Sequence, residues 1–380
     1  MESASTGGGS QRYSLKKAIQ ASFGAPDNPD YIFDISTSGD SMMAVSLSTN
    51  GIKLYSPVKD KLLGELSGHT STITDIAFPS PLAPHKLCSS STDGTLRIWD
   101  TRTHRQIGCL KSPSPRELWS FSLGGMSGNL IAAGSQAQIM FWDWRTKKQL
   151  GCLEECHTED VTQVRFHPNK MDKLLSASVD GLMCAIDTSG GINDDEGLDS
   201  VLSVGTSVAR IGFYGESNEK VWCLTHTESL SVWNFEEKRL EADFGDTRSR
   251  ASAAWSLTPV NYLIDCHYSP TLDGLCLVAG TLGGTIGMFP VNYTKCGGDT
   301  HCSGQIGPVC SVLEGGHTAV VRSVKTFDQS ELFCWSGGED GRLCSWSKPS
   351  SSSEFESSAW VSSNLVLKRA KQSNKRHVPY

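Results

Sequence analysis

Three sets of histidine, serine and aspartate recur along the chain: His69, Ser89 and Asp93; His157, Ser176 and Asp180; His317, Ser336 and Asp340. Brought together, such side chains could activate the serine hydroxyl as a nucleophile, the histidine taking its proton and the acid orienting the ring. That chemistry needs one site. Here the trio occurs three times, with serine always four residues before aspartate and Trp99, Ile186 or Trp346 six residues after it. A reactive set has no reason to recur, so the repetition argues for a structural role.

Other chemistry-bearing patterns fall short in the same way. Cys296, His301, Cys302 and Cys310 cluster, but without the paired Cys-x2-4-Cys spacing of zinc knuckles, so no metal is expected. Gly280–Gly287 (GTLGGTIG) lacks the Lys-Ser/Thr and the following helix that a phosphate loop requires, and reads as a hairpin turn. No Gly-x-Ser-x-Gly elbow is present. No catalytic residue and no cofactor is expected. Asn292-Tyr293-Thr294 matches a glycosylation acceptor, which only a secreted chain would use.

The elements that must position the repeated residues are short strands. GHTSTITDIAF with KLCSSSTDGTLRIWD (68–78, 86–100), CHTEDVTQVRFHP with KLLSASVDGLMCAID (156–168, 173–187) and GHTAVVRSVKTF with LFCWSGGEDGRLCSW (316–327, 332–346) align with one another. Around their anchors apolar residues alternate as strands require. Asp93-Gly94, Asp180-Gly181 and Asp340-Gly341 suit tight hairpin turns, where glycine takes a positive φ cheaply. Weaker copies end at Tyr55, Trp142, Trp233 and Phe289, making seven units with successive ends 43 to 57 residues apart. Seven four-stranded units at this period form an all-β ring of blades. An outer strand is needed to close the seventh; YSLKKAIQ (13–20) and AWVSSNLVLK (359–368) both qualify. Closure removes a sheet edge that would invite aggregation.

The pairs Gly68-His69, Gly316-His317, Trp99-Asp100 and Trp142-Asp143 resemble the WD-repeat (WD40) family, over about residues 13–348. The segment His157–Pro168 further resembles the group called WD repeat-containing protein 89. The resemblance implies a seven-bladed WD40 β-propeller. It also implies that His69–Ser89–Asp93–Trp99 and His317–Ser336–Asp340–Trp346 are complete hydrogen-bonded tetrads, and that His157–Ser176–Asp180 is one lacking its tryptophan. Each such bond is worth on the order of 0.5–1.5 kcal/mol. Trp99-Asp100-Thr101-Arg102 and Trp142-Asp143-Trp144-Arg145 resemble the box with which substrate receptors of cullin-RING (CUL4-type) ubiquitin ligases dock the DNA-damage-binding adaptor. Arg102 and Arg145 then emerge on the bottom face, within reach of a partner carboxylate.

On the top face, DTRSRASAAW (246–255) reads as a long loop. It presents Arg248, Arg250 and Trp255, residue types that dominate interface hot spots. Glu159, Asp160 and Glu339 read as an acidic arc nearby, suited to a basic peptide. The expected organisation is a disordered stretch (1–12), the propeller (13–348), and a flexible Ser-rich and basic C-terminal tail (349–380).

Charge is unevenly placed. The net charge of −7 includes Lys368, Arg369, Lys371, Lys375 and Arg376 near the end; the rest holds 29 basic against 41 acidic residues, a balance of −12. An acidic body disfavours direct nucleic-acid binding except weakly through the tail, whose basic cluster could also be a nuclear signal. Thirteen cysteines, an odd number, do not suggest a disulfide framework. Cys88, Cys223, Cys276 and Cys334 sit in apolar runs as small core residues. No apolar run spans a membrane and no secretory start is evident, so the nucleus or cytoplasm is expected. The expected function is a non-catalytic scaffold, a monomeric propeller that assembles other proteins.

Overall fold

The computed structural model describes residues 10–21, 30–39, 41–79, 85–111, 116–126, 128–193, 197–255, 259–270, 274–294, 302–327 and 332–348. They form seven antiparallel blades. The first four are continuous in sequence: 32–67, 73–111, 120–153 and 161–203. Blade 5 (208–246) gains a short fifth strand, Cys302–Ser303, laid parallel to its outer strand. Blade 6 runs from Tyr262 to Leu313, and the same insertion adds Gln305–Ile306 beside its third strand.

Blade 7 combines strands from both ends of the described chain. Gln11–Gln20 pairs antiparallel with Arg342–Ser347, from Ser14 opposite Ser347 to Gln20 opposite Arg342. Its first residues also run parallel to Ser311–Leu313 of blade 6. The strand begins at Gln11, two residues before the expected start. The other closing segment considered, 359–368, lies outside the described residues, as does the tail 349–380. Ala18, Ile19 and Ala21 are buried, which ties this strand into the core.

The alternation expected of the strands has a direct cause in packing. Each blade has two faces, and both are covered by neighbouring blades. Residues of the two middle strands are therefore buried on both sides, as in Met43–Leu47 and Leu174–Ser178. Outer strands such as Lys61–Ser67 and Arg105–Lys111 are largely exposed. Cys88, Cys223 and Cys334 are buried core thiols, and Cys276 is half-buried.

Two repeated contacts join blade to blade. Along the channel, a side chain from one innermost strand accepts a backbone N–H of the next. Asp75 takes that of Phe121 (3.3 Å), Gln163 that of Ile211 (2.9 Å) and Ser323 that of Ile35 (3.2 Å). Around the rim, the last hairpin of a blade reaches back over the preceding one. Lys147 Nζ donates to the Ile107 carbonyl at 2.7 Å, and Lys238 Nζ lies 3.1 Å from Asp199. His104 covers Gly64 so closely that a Cβ there would sit 2.2 Å from the ring. His104, Lys147 and Lys238 all adopt left-handed φ values of 54–58°, which turn their side chains toward the neighbour.

Candidate functional site

The three histidine–serine–aspartate sets are assembled inside single blades. In blade 2, His69 Nδ1 lies 2.9 Å from Asp93 Oδ2 and Nε2 lies 2.7 Å from Ser89 Oγ, while Trp99 Nε1 donates to Ser89 Oγ at 2.8 Å. One proton assignment satisfies every group with a neutral ring: Trp99 N–H to Ser89, Ser89 O–H to His69 Nε2, His69 Nδ1–H to Asp93. Blade 7 repeats this with Ser336 Oγ at 2.8 Å from both His317 Nε2 and Trp346 Nε1, and with Asp340 3.1 Å from Nδ1. In blade 4, His157 bonds Asp180 (3.0 Å) and Ser176 (2.8 Å), and Ile186 stands where the tryptophan would be.

Their electrostatics suit bracing. Burial pushes the His69 imidazole below its ordinary range despite the Asp93 carboxylate, and burial does the same to His157. Burial alone would raise Asp93, but hydrogen bonds from Thr95, His69 and the Thr70 N–H hold it down at about 2. Ser89, Ser176 and Ser336 are completely buried, so no substrate reaches their hydroxyls.

The other blades show how the tetrad decays. Strand register places Ala133, Cys223 and Val45 where blades 2, 4 and 7 have serine. Trp142, diagonal to that alanine across the strand pair, has its N–H buried with no acceptor among the described residues. Trp233 finds another serine, Ser231 of its own strand, at 2.8 Å.

On the bottom face, Arg102 and Arg145 are exposed, at 69% and 61% of their side chains. Arg102 folds back bidentately on Asp100 (Nε 3.1 Å, Nη2 2.7 Å), and this hydrogen bonding holds the carboxyl well below the usual range. Arg145 stands further off, with Nε 3.8 Å from Asp143, which accepts the Arg145 N–H at 2.8 Å. The guanidinium of Arg102 therefore already has a carboxylate partner.

The segment 246–255 is not the loop expected. Thr247–Ala254 is an α-helix capped by Asp246, whose carboxylate accepts the Ser249 N–H at 3.0 Å. Trp255 packs inward, 8% exposed, edge-on to Phe289 and against Gly287. That removes it from the candidate contact surface. Arg250 donates to the Gly304 carbonyl at 2.8 Å, holding the insertion against blade 5. Arg248 stays exposed. The turn chemistry of Asp246 beside three serine and threonine residues was the missed helix signal.

The expected acidic arc is also divided. Glu339 is neutralised by Arg322, whose Nε lies 2.8 Å away. Glu159 is exposed, and Asp160 borders the channel. Gly274–Gly280 and Ile286–Asn292 pair as the hairpin read from the glycines between them. Cys296 and His301 lie outside the described residues, and Cys310 turns its thiol to the Met288 carbonyl (3.3 Å).

Sequence reading missed the mouth of the channel. The second residue of successive innermost strands faces it, among them Phe33, Thr74, Thr162, Ala209 and Arg322. Trp119 precedes the corresponding strand of blade 3. Two cavities of about 400 and 380 Å³ open there and share Ala209 and His226.

Comparison with known proteins agrees with this architecture. Residues 60–100 match the family described as "WD domain, G-beta repeat". The chain is 46% identical over 379 residues to WD repeat-containing protein GTS1 of Arabidopsis thaliana, covering 97% of this chain and 93% of that one. It is 31% identical over 356 residues to the WD repeat-containing protein 89 homolog of Dictyostelium discoideum, covering 93% of each. Full-length similarity of this kind, together with seven blades and buried tetrads, makes the chain a member of the WD-repeat family.

Proposed function

We propose that this protein is a non-catalytic platform that assembles other proteins through the faces of its propeller. WD-repeat chains generally mediate protein–protein interaction. The observation that carries the reading here is the saturation of Ser89, His69 and Asp93. The polar atoms of this would-be triad are spent on bracing strands, while a cavity of about 400 Å³ opens at the channel mouth. Affinity capture at physiological salt tests it. Stoichiometric protein partners are expected, and recovery of none overturns the reading. A nuclear or cytoplasmic setting belongs to the same proposal; its support is the basic cluster at 368–376, and imaging of the tagged chain with and without residues 364–380 tests it.

A second reading, a substrate receptor of a cullin-RING (CUL4-type) ubiquitin ligase docked on the DNA-damage-binding adaptor, rests on the exposure of Arg102 and Arg145. It requires Arg102 to exchange Asp100 for a partner acid. Co-purification of the adaptor should vanish in the Arg102→Ala, Arg145→Ala double variant; retention removes this reading.

A further inference from the structure

Blades 1 to 3 share an outward-facing pattern that blades 4 and 5 lack. In each, the outer strand opens on a cation, Lys61, Arg105 or Lys148, paired by register with the last residue of the third strand. Two residues on, a bulge leaves Leu63, Ile107 or Leu150 without a partner across the ladder. These three residues are 40%, 42% and 55% exposed. One exposed leucine is ordinary. Three at the same register position of three consecutive blades make a repeated surface. At that position blades 4 and 5 have Asp199 and Glu241.

Charge follows the same division. The hairpins 56–61, 100–105 and 143–148 hold seven lysines and arginines against three aspartates. Those aspartates are engaged: Asp60 lies 3.8 Å from Lys17, Asp100 holds Arg102, and Asp143 faces Arg145. Lys59, Lys61, Arg105 and Lys148 are exposed and have no ion pair among the described residues. In blades 4 and 5 the cations are matched: Lys173 by Asp187 at 2.7 Å, Lys238 by Asp199 at 3.1 Å and Lys170 by Glu236 at 2.7 Å. The three basic hairpins form one row, because His104 covers Gly64 of blade 1 and Lys147 reaches Ile107 of blade 2. A positive strip thus crosses a chain whose net charge is negative.

Unpaired cations interleaved with aliphatic side chains complement a ligand that interleaves acids with aliphatics. We propose that the outer wall of blades 1 to 3 binds a segment of a partner protein in which acidic and aliphatic residues alternate. Its carboxylates meet Lys61, Arg105 and Lys148, and its apolar side chains cover Leu63, Ile107 and Leu150. A nucleic-acid backbone would engage the cations and leave the aliphatic residues in water. Bases also want open aromatic faces, and the Trp144 ring here already carries Lys86 Nζ 4.4 Å from its centre. A bilayer is flat, whereas the wall turns by one-seventh of a circle from each blade to the next. The inference rests on the platform reading in one respect, that the ligand belongs to another protein.

The test titrates the full chain against fluorescein-labelled peptides, each five repeats of Leu-Glu-Glu-Gly, Ser-Glu-Glu-Gly or Leu-Lys-Lys-Gly, with oligouridylate and phosphatidylserine vesicles as further arms. The Leu-Glu-Glu-Gly peptide is expected to bind roughly tenfold or more tightly than the other two, and more weakly as salt rises. A charge variant (Lys61→Gln, Arg105→Gln and Lys148→Gln) and an apolar variant (Leu63→Ser, Ile107→Ser and Leu150→Ser) should each lose about that factor. All six positions are exposed, and either variant carries the test if the other does not fold. Equal binding of the three peptides, binding of no probe, or unchanged binding to either folded variant overturns the proposal. So does tighter binding of oligouridylate or of the vesicles than of the peptide. Capture of partners from cells separates the two claims. A chain that binds the Leu-Glu-Glu-Gly peptide but captures no protein keeps the surface and sinks the platform. A chain that captures the same partners with and without the charge variant, and ignores the peptides, does the reverse.

Discussion

Trp99 donates its indole N–H to Ser89 Oγ at 2.8 Å, and that one oxygen also holds His69 at 2.7 Å. A buried hydroxyl thus links the third strand of blade 2 to the second, and through the histidine to the loop that enters the first. Ser89→Ala strands two buried polar groups at once. It is expected to lower stability by about 1–3 kcal/mol per stranded group, the usual cost of an unmet buried donor or acceptor. Ser176→Ala in blade 4 strands only His157, because Ile186 asks for nothing. Urea unfolding should rank Ser89→Ala below Ser176→Ala; equal losses would refute the account of the hub.

The complementary change is Ala133→Ser. The register of blade 3 puts Ala133 where blade 2 has Ser89, and Trp142 N–H lies buried with no acceptor among the described residues. Supplying one should raise stability by about 0.5–1.5 kcal/mol, the net value of a typical hydrogen bond. The melting temperature reads this directly, and a drop would mean that the new hydroxyl finds no room.

Acid should weaken the ring in two stages. His69 and His157 have folded pKa values lowered by burial, so below about pH 6.5 the unfolded chain binds protons that the folded chain refuses. Stability therefore falls as pH drops through that value. Asp93, held at about 2, contributes stability that is complete above the unfolded value of about 4 and disappears as pH falls toward 2. Melting temperatures between pH 7.5 and 5 should decline, and more gently in His69→Gln than in the parent. Parallel slopes would show that the histidines are not responsible.

Besides its strand pairings and the Arg250 bond, the insertion is held by one close approach. At Gly304 a Cβ would stand 2.0 Å from the ring of Phe244, which is fully buried and cannot retreat. Gly304→Ala should lift the insertion from blade 5 and speed its proteolysis. Arg250→Ala, which removes the bond to the Gly304 carbonyl, should do the same more weakly. Unaltered cleavage in both variants would return Arg250 to the pool of partner-binding candidates.

Removing residues 1–21 takes away the outer strand of blade 7 and leaves Arg342–Ser347 as a bare edge. Burial of Ile19 alone is worth about 1.5–3 kcal/mol. The truncated chain should melt far lower and aggregate on warming, as an exposed strand edge promotes pairing between chains. Light scattering during a thermal ramp measures this.

The recurrence of histidine, serine and aspartate made three units legible without coordinates, and the spacing of the weaker strand ends at Tyr55, Trp142, Trp233 and Phe289 extended them to seven. The reason is that each blade solves the same local problem with residues close in sequence, and short-range spacing survives intact in the text of the chain. The failures were of another kind. That Ala133 takes the serine position of blade 3 follows from a hairpin one residue shorter than that of blade 2, which only the strand register shows. Whether Trp255 faces a partner or the core depends on a helix and on Phe289 some thirty residues away. The channel mouth gathers Phe33, Trp119 and Asp160 from three blades that share no pattern. Such groupings are set by circular closure, which brings distant strands to one axis, and only the tertiary structure could decide them.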